Sequence, residues 1–288
     1  MKALRVTVAL VIAASPLSAQ AGAGQPWDSI GKVLGAAPQS TGGYYRYNFP
    51  RRDITLHVGD VTVAPQLALG TYVGISGSAD DATAMGDLVV LPSEIKDVLA
   101  ELSRQHVGVT AIHNHIVGAE PAIMYVHYHA HGNALDLGGR LRAVIGKTGA
   151  LKPAPAALAK PLSIDSTAVF TALGPGRATG DVAQVSFLFV PGTLSMAGHV
   201  LNPALAYGSP INIQQVSPTR AVATGDFAIV EAKVQPLIDT LASHGITATA
   251  MHTHLIGETP KVYYIHFWAD ASLADVLSGL KAAVGVAR

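Results

Sequence analysis

There is no cysteine among the 288 residues. That absence excludes disulfides, iron–sulfur clusters, thiol chemistry and lipid attachment through an N-terminal cysteine. It also restricts any metal site to His, Asp, Glu or Tyr donors. Charge is sparse as well: 13% of residues are charged, and 19 basic side chains balance 19 acidic ones. So even a balance offers no basic face for nucleic acid or an anionic membrane, and neither is expected as a partner. Beyond the N-terminus no stretch is apolar enough to span or anchor in a bilayer. Familiar catalytic loops are missing too. No P-loop occurs, Gly74-Ile75-Ser76-Gly77 lacks the spacing of a nucleophile elbow, and no helix opens behind Gly74, Gly77 and Gly86.

What is present begins with an expected leader. Lys2 and Arg5 precede an apolar run from Val6 to Ala14, then Pro16 and the small-x-small sequence Ala19-Gln20-Ala21. This is the pattern of a signal peptide over residues 1–21, with a mature chain starting near Gly22 and a periplasmic or secreted location. Without Lys2 and Arg5 the formal charge is −2. The remainder is long enough for two ordinary domains and apolar enough, at 49% for the chain, to bury a core.

The chain repeats itself. Met85–Gly146 aligns with Thr224–Gly285 at a constant offset of 139 and without a gap. Matched pairs include Gly86/Gly225, Asp87/Asp226, Thr110/Thr249, His113/His252, His115/His254, Pro121/Pro260, Tyr125/Tyr264 and His127/His266. A period this long means a duplicated domain rather than a solenoid. The boundaries expected are 22–148 for the first repeat, 149–160 for a Pro/Ala-rich linker and 161–288 for the second. Each repeat reads as a short helix, then strands, then a core order β-α-β-β-α. Ile54–Val58 and Val61–Val63 flank a Gly59-Asp60 turn. Ile95, Val98, Leu99 and Leu102 share a helix face, with Ser93 as its expected N-cap. Leu273, Val276, Leu277, Leu280 and Val284 mark a closing helix. The fold class expected is α+β: two copies of an antiparallel sheet with helices on one face, related by a pseudo-twofold axis.

Histidines carry the functional signal. His113-Asn114-His115 ends one expected strand, and His127, His129 and His131 alternate along the next. Alternate residues of a strand share a face. A hairpin centred on Pro121 places His115 opposite His127 and His113 opposite His129, near enough for one ion. The second copy keeps His252, His254 and His266 but has Trp268 and Asp270 in place of His129 and His131. Three neutral imidazoles with an open position suit zinc, copper or iron. Each trio is expected to hold one divalent ion, the first more strongly because His129 and His131 are at hand to complete that site or support a second ion, and sequence leaves open whether the two clusters are separate or shared. Glu120 and Glu258, in the connecting loops, are the candidate fourth ligands or general bases. His57, His106, His199 and His244 fall outside the pattern and are read as structural. His113-Asn114-His115 lacks the surroundings of the nuclease motif it spells, and the flanking helices argue against a cupin barrel.

At these residues the chain resembles the LppY/LpqO family of secreted bacterial proteins, a domain family of unknown function. The resemblance rests on Met85-Gly86-Asp87-Leu88, Val109–His115, Pro121 and Met124-Tyr125-Val126-His127. In the second copy it rests on Thr224-Gly225-Asp226-Phe227, Met251-His252-Thr253-His254 and Ile265–Ala269. It covers nearly the whole mature chain and implies no activity. The lipoproteins that give the family its name carry an anchor cysteine, which this chain lacks. The functions expected are therefore a metal-binding protein with hydrolytic or oxidative chemistry, a metal carrier without turnover, or a protein binding a small molecule or cell-envelope partner.

Overall fold

The computed structural model describes residues 26–153 and 162–288. The expected leader and most of the expected linker lie outside the described residues. Each half builds one six-stranded antiparallel sheet. In the first, the strands are β1 (Gln39–Thr41), β2 (Tyr44–Pro50), β3 (Gly70–Gly77), β4 (Ala82–Val90), β5 (Gly108–His113) and β6 (Met124–Gly132), in the spatial order β1-β2-β3-β4-β6-β5. The second has β7 (Gly176–Thr179), β8 (Val182–Phe187), β9 (Ser209–Ser217), β10 (Arg220–Ile229), β11 (Thr247–His252) and β12 (Tyr263–Ala271), in the order β7-β8-β9-β10-β12-β11. The two orders are the same, so the duplication seen in sequence is a duplication of fold.

Three helices cover one face of each sheet. In the first half they are α1 (Pro26–Leu34), α2 (Ile95–Arg104) and α3 (Ala134–Ile145). In the second they are α4 (Ser166–Leu173), α5 (Val234–Ser243) and α6 (Leu273–Ala287). Their apolar stripes explain the placement. Val98 and Leu102 of α2 and Leu137, Leu141 and Val144 of α3 pack on Leu88, Val126 and Tyr128 of the sheet. Leu237, Leu241, Val276 and Leu280 pack on Phe227, Ile265 and Phe267 in the same way. Asn133 caps α3 by accepting from the amides of Leu135 and Asp136, and Ser272 caps α6 through the amide of Asp275. Ser93 does not cap α2. The residue before that helix is Glu94, whose carboxylate is engaged elsewhere.

The other face of each sheet meets its counterpart, giving four layers with helices outermost. The central strand β4 is consequently buried at all nine positions. Ala82, Ala84, Leu88 and Val90 face the helices, while Met85 and Val89 join clusters that mix both halves. Polar groups fix the halves against each other. Gln214 accepts from the Ala64 amide at 2.9 Å and donates to the Thr62 carbonyl at 3.0 Å. Asn212 donates to the Leu67 carbonyl at 2.9 Å. Gly86 and Gly225 sit in β4 and β10 where no side chain fits. A Cβ at Gly86 would collide with the Tyr72 carbonyl and the Tyr128 hydroxyl, and one at Gly225 with the Pro210 carbonyl. Such crowding sets the neighbouring Asp87 and Asp226 firmly in the middle of the molecule.

One expectation of register is corrected. His113 pairs with Tyr125, Ala111 with His127 and Gly108 with His129, and the ladder shifts between Val109 and Ala111. The connection is not a tight hairpin around Pro121. Ala119–Glu120 forms a short strand of its own against Leu56–Val58, and the chain takes that detour before β6.

Candidate metal centre

β5 and β11 end on His113 and His252, and the chain continues through His115 and His254. β6 and β12 supply His127 and His266, and β4 and β10 supply Asp87 and Asp226 directly opposite them. Because the inner faces of the two sheets meet, the histidine trios do not form separate sites. They merge. His113 stacks on His252 with ring centroids 3.8 Å apart. His115 stacks on His266 at 3.7 Å, and its symmetry counterpart, His254 on His127, stands at 3.6 Å. That reciprocity is what a pseudo-twofold axis passing between His113 and His252 produces.

Tyr125 and Tyr264 close the ends of the stack. Their rings lie 3.6 Å from His115 and 3.7 Å from His254, and their hydroxyls donate to the carbonyls of Ala68 and Ala206. They are therefore anchored walls of the site.

Three overlapping groups of donors fall within 4.8 Å of one another: His113, His252, His254 and His266; His113, His115 and His127; and His115, Asp226 and His266. Asp87 Oδ2 lies 3.4 Å from His127 Nε2, and Asp226 Oδ1 lies 2.6 Å from His266 Nδ1. Many of these atoms are buried with no partner. They include Asp87 Oδ1, His113 Nδ1, both nitrogens of His252, and Nε2 of His127, His254 and His266. Each unpaired buried polar atom costs about 1–3 kcal/mol. A cluster of them lacks a protein partner, and imidazole lone pairs and carboxylates are what a transition ion takes.

The electrostatics agree. Burial first, then neighbouring imidazoles, hold His113, His115, His127 and His254 well below the usual histidine value. The same causes push His252 down to about 3. Burial and Asp226 raise the Asp87 carboxyl. A cation between these groups reverses both penalties. In the metal-free protein the sign of the pH dependence follows. An unfolded histidine takes up its proton near pH 6.5, and the folded ones resist protonation to much lower pH. The unfolded state then binds more protons, so stability is full above about pH 6.5 and declines as pH falls towards 3. Each such histidine adds about 1.4 kcal/mol per pH unit to that slope. Urea midpoints of metal-free protein should be lower at pH 5 than at pH 7.5, with a shallower loss for His252→Gln. Equal midpoints at the two pH values would contradict this reading.

Other histidines named from sequence lie apart. His131 Nε2 is 2.7 Å from Asp81 Oδ1, and its ring stacks at 3.6 Å on His199 of the other half. His129 Nε2 is buried without a partner, and burial with His131 and His199 pushes its pKa down to about 4. Neither belongs to the central donor groups. The same is true of the two loop glutamates. Glu120 is exposed on the short strand against Leu56–Val58, and Glu258 is buried 3.1 Å from Lys261 Nζ while accepting from the Val262 amide. Sequence reasoning did not single out Asp87 and Asp226. The available signal was a carboxylate matched between two copies in the middle of an apolar strand.

A cavity of about 740 Å3 opens between the halves, with Asp87, His115, His127, His254 and Asp226 in its wall. Among the described residues no helix is long and apolar enough to cross a membrane.

Fold and site together define a duplicated α+β protein with a histidine-rich centre between its halves. The chain belongs to the family described as Domain of Unknown Function (DUF1259), whose sequence model matches twice, over residues 28–147 and 167–286. No curated protein matches it. Among solved structures, crystal form I of TP0453 aligns at 11% identity over 87% of this chain and 96% of that one. The TM-score is 0.17, too low to support any structural argument.

Proposed function

We propose that this is a secreted or periplasmic metal-dependent enzyme whose single metal centre is shared by both halves. The observation that carries the reading is the convergence of six histidines and Asp226 in overlapping donor groups, with five of those histidines holding at least one buried, unpartnered ring nitrogen. Six imidazoles would supply three ligands to each of two four-coordinate ions and leave a fourth position on each for water, and zinc, copper and iron all accept this donor set. When bound, such an ion supplies Lewis acidity and a water that ionises near neutral pH. Burial holds His113, His115, His127, His252 and His254 neutral, stacking orients the rings, and the Asp87 carboxyl lies at the cavity wall. The cavity favours an enzyme over a carrier, because its volume lies in the range of small-molecule sites and His115, His127 and His254 line it. Elemental analysis of protein purified without a metal-affinity tag should find two divalent ions per chain, retained through dialysis. Protein free of metal after reconstitution would defeat the proposal. Metal that exchanges freely on dialysis would favour the carrier.

A further inference from the structure

The wall of the same cavity carries two arginines whose pairing is unusual. Arg46 on β2 and Arg177 on β7 both line it, one from each half. The ladders show that they occupy related places. Gln39 pairs with Arg46 across β1–β2, and Arg177 pairs with Gln184 across β7–β8. Arg46 leads through Gly74 to Met85, and Gln184 leads through Asn212 to Thr224. Met85 and Thr224 are matched positions of the repeat. Each half therefore offers one arginine and one glutamine at the same cross-strand pair, with the charge on opposite strands.

Neither arginine has a carboxylate. Among the described residues Arg51, Arg104, Arg140 and Arg220 each sit against an acid, but Arg46 and Arg177 do not. Each spends only its Nε on a neutral amide: Arg46 donates to Asn48 Oδ1 at 2.7 Å, and Arg177 to Gln184 Oε1 at 2.9 Å. Those amides are themselves tied down. Asn48 donates to Gln39 Oε1 at 2.9 Å, and Gln184 donates to Asn212 Oδ1 at 2.6 Å. Arg46 is held further by lying 3.5 Å over the face of the Tyr72 ring. So both guanidiniums are fixed through Nε while their terminal nitrogens have no acceptor among the described residues. Partial desolvation, and then the charge of Arg46, lower the pKa of Arg177 against an opposing effect of Tyr44, so the two cations are close enough to repel. A planar fork with free terminal N–H groups is matched by the two oxygens of a carboxylate or phosphate.

We propose that Arg46 and Arg177 bind the oxyanionic group, carboxylate or phosphate, of a small organic substrate in this cavity. The remainder of that molecule then lies towards Asp87, His115 and His127. The proposal deepens the metal-enzyme reading by naming its substrate class, and it rests on that reading for the reacting end alone. The anion subsite is made wholly of protein groups.

The test is calorimetric titration of the full mature chain with inorganic phosphate and with succinate, metal-free and metal-loaded. At least one of the two anions is expected to bind both forms, and the tighter of them tells phosphate from carboxylate. Charge-assisted hydrogen bonds predict that Arg46→Gln or Arg177→Gln weakens binding by about 10- to 100-fold. Arg46→Lys keeps the charge but not the fork and is expected to fall between. Arg52→Gln is expected to change nothing. If neither anion binds, or if the arginine variants bind as wild type does, the proposal is overturned. Binding that needs the metal but not the arginines overturns it while leaving the metal reading intact. Arginine-dependent binding by a chain that never takes up metal supports it and sinks the metal reading instead.

Discussion

His254→Ala is expected to cost the protein the same metal as His127→Ala, although the two residues belong to different repeats. Their rings stack at 3.6 Å, and each has a buried, unpartnered Nε2 in one of two donor groups that share His113. Removing a group that merely supports a metal ligand costs about 10- to 100-fold in affinity, and removing a ligand costs more. The consequence reaches stability. An ion held at a hundred times its dissociation constant stabilises the fold by about 2.7 kcal/mol. At about 2–4 °C per kcal/mol for chains near this size, chelation should lower the wild-type melting temperature by roughly 5–10 °C. Either variant should melt at nearly the same temperature with and without chelator. His57→Ala removes an exposed side chain far from the donors and should respond to chelator as wild type does. Two independent sites would behave otherwise: each variant would keep half its metal and part of the shift.

The second large effect lies away from the centre. Glu94→Ala is expected to cost about 3–5 kcal/mol, because it takes one of two carboxylate partners from a fully buried guanidinium and leaves its Nη1 short of an acceptor. Arg51 is completely enclosed. Its Nε lies 2.8 Å from Asp53 Oδ1, and its Nη1 lies 2.7 Å from both Glu94 Oε2 and the Val89 carbonyl. Glu94 also accepts from the amides of Leu91 at 2.8 Å and Gly149 at 2.9 Å, tying the start of α2 and the chain just after α3 to one carboxylate. Differential scanning calorimetry should show a drop of roughly 6–20 °C. Arg140→Ala, which breaks the exposed pair with Asp136, should move the transition far less. A Glu94→Ala protein as stable as the Arg140→Ala one would mean that Arg51 is satisfied without its second acid.

Much of this architecture is legible in the residues. The gapless offset gives the duplication, the helical spacing of Val98 and Leu102 or Leu237 and Leu241 gives the outer layers, and the alternation in His113-x-His115 gives a shared face. Register was less accessible. The shift between Val109 and Ala111 and the detour of Ala119–Glu120 both depend on contacts distant in sequence, so His113 meets Tyr125 rather than His129. The merging of the trios could not be read at all. It follows from sheet packing on sheet, and nothing local distinguishes a histidine facing its own repeat from one facing the other. For the same reason Arg46 and Arg177 escape notice, since the shared ladder position carries its charge on β2 in one half and on β7 in the other. His199, read as structural from its isolation, meets His131 only across the interface.

The most direct test of a shared centre is anomalous X-ray scattering from crystals of metal-loaded protein, collected on either side of the metal's absorption edge. The account predicts anomalous density inside the six-histidine cluster, close to the axis between His113 and His252, at about 2.0–2.1 Å from imidazole nitrogens of both repeats. Density at two distant places, each touching histidines of one repeat only, or no density in the cluster at all, would contradict it.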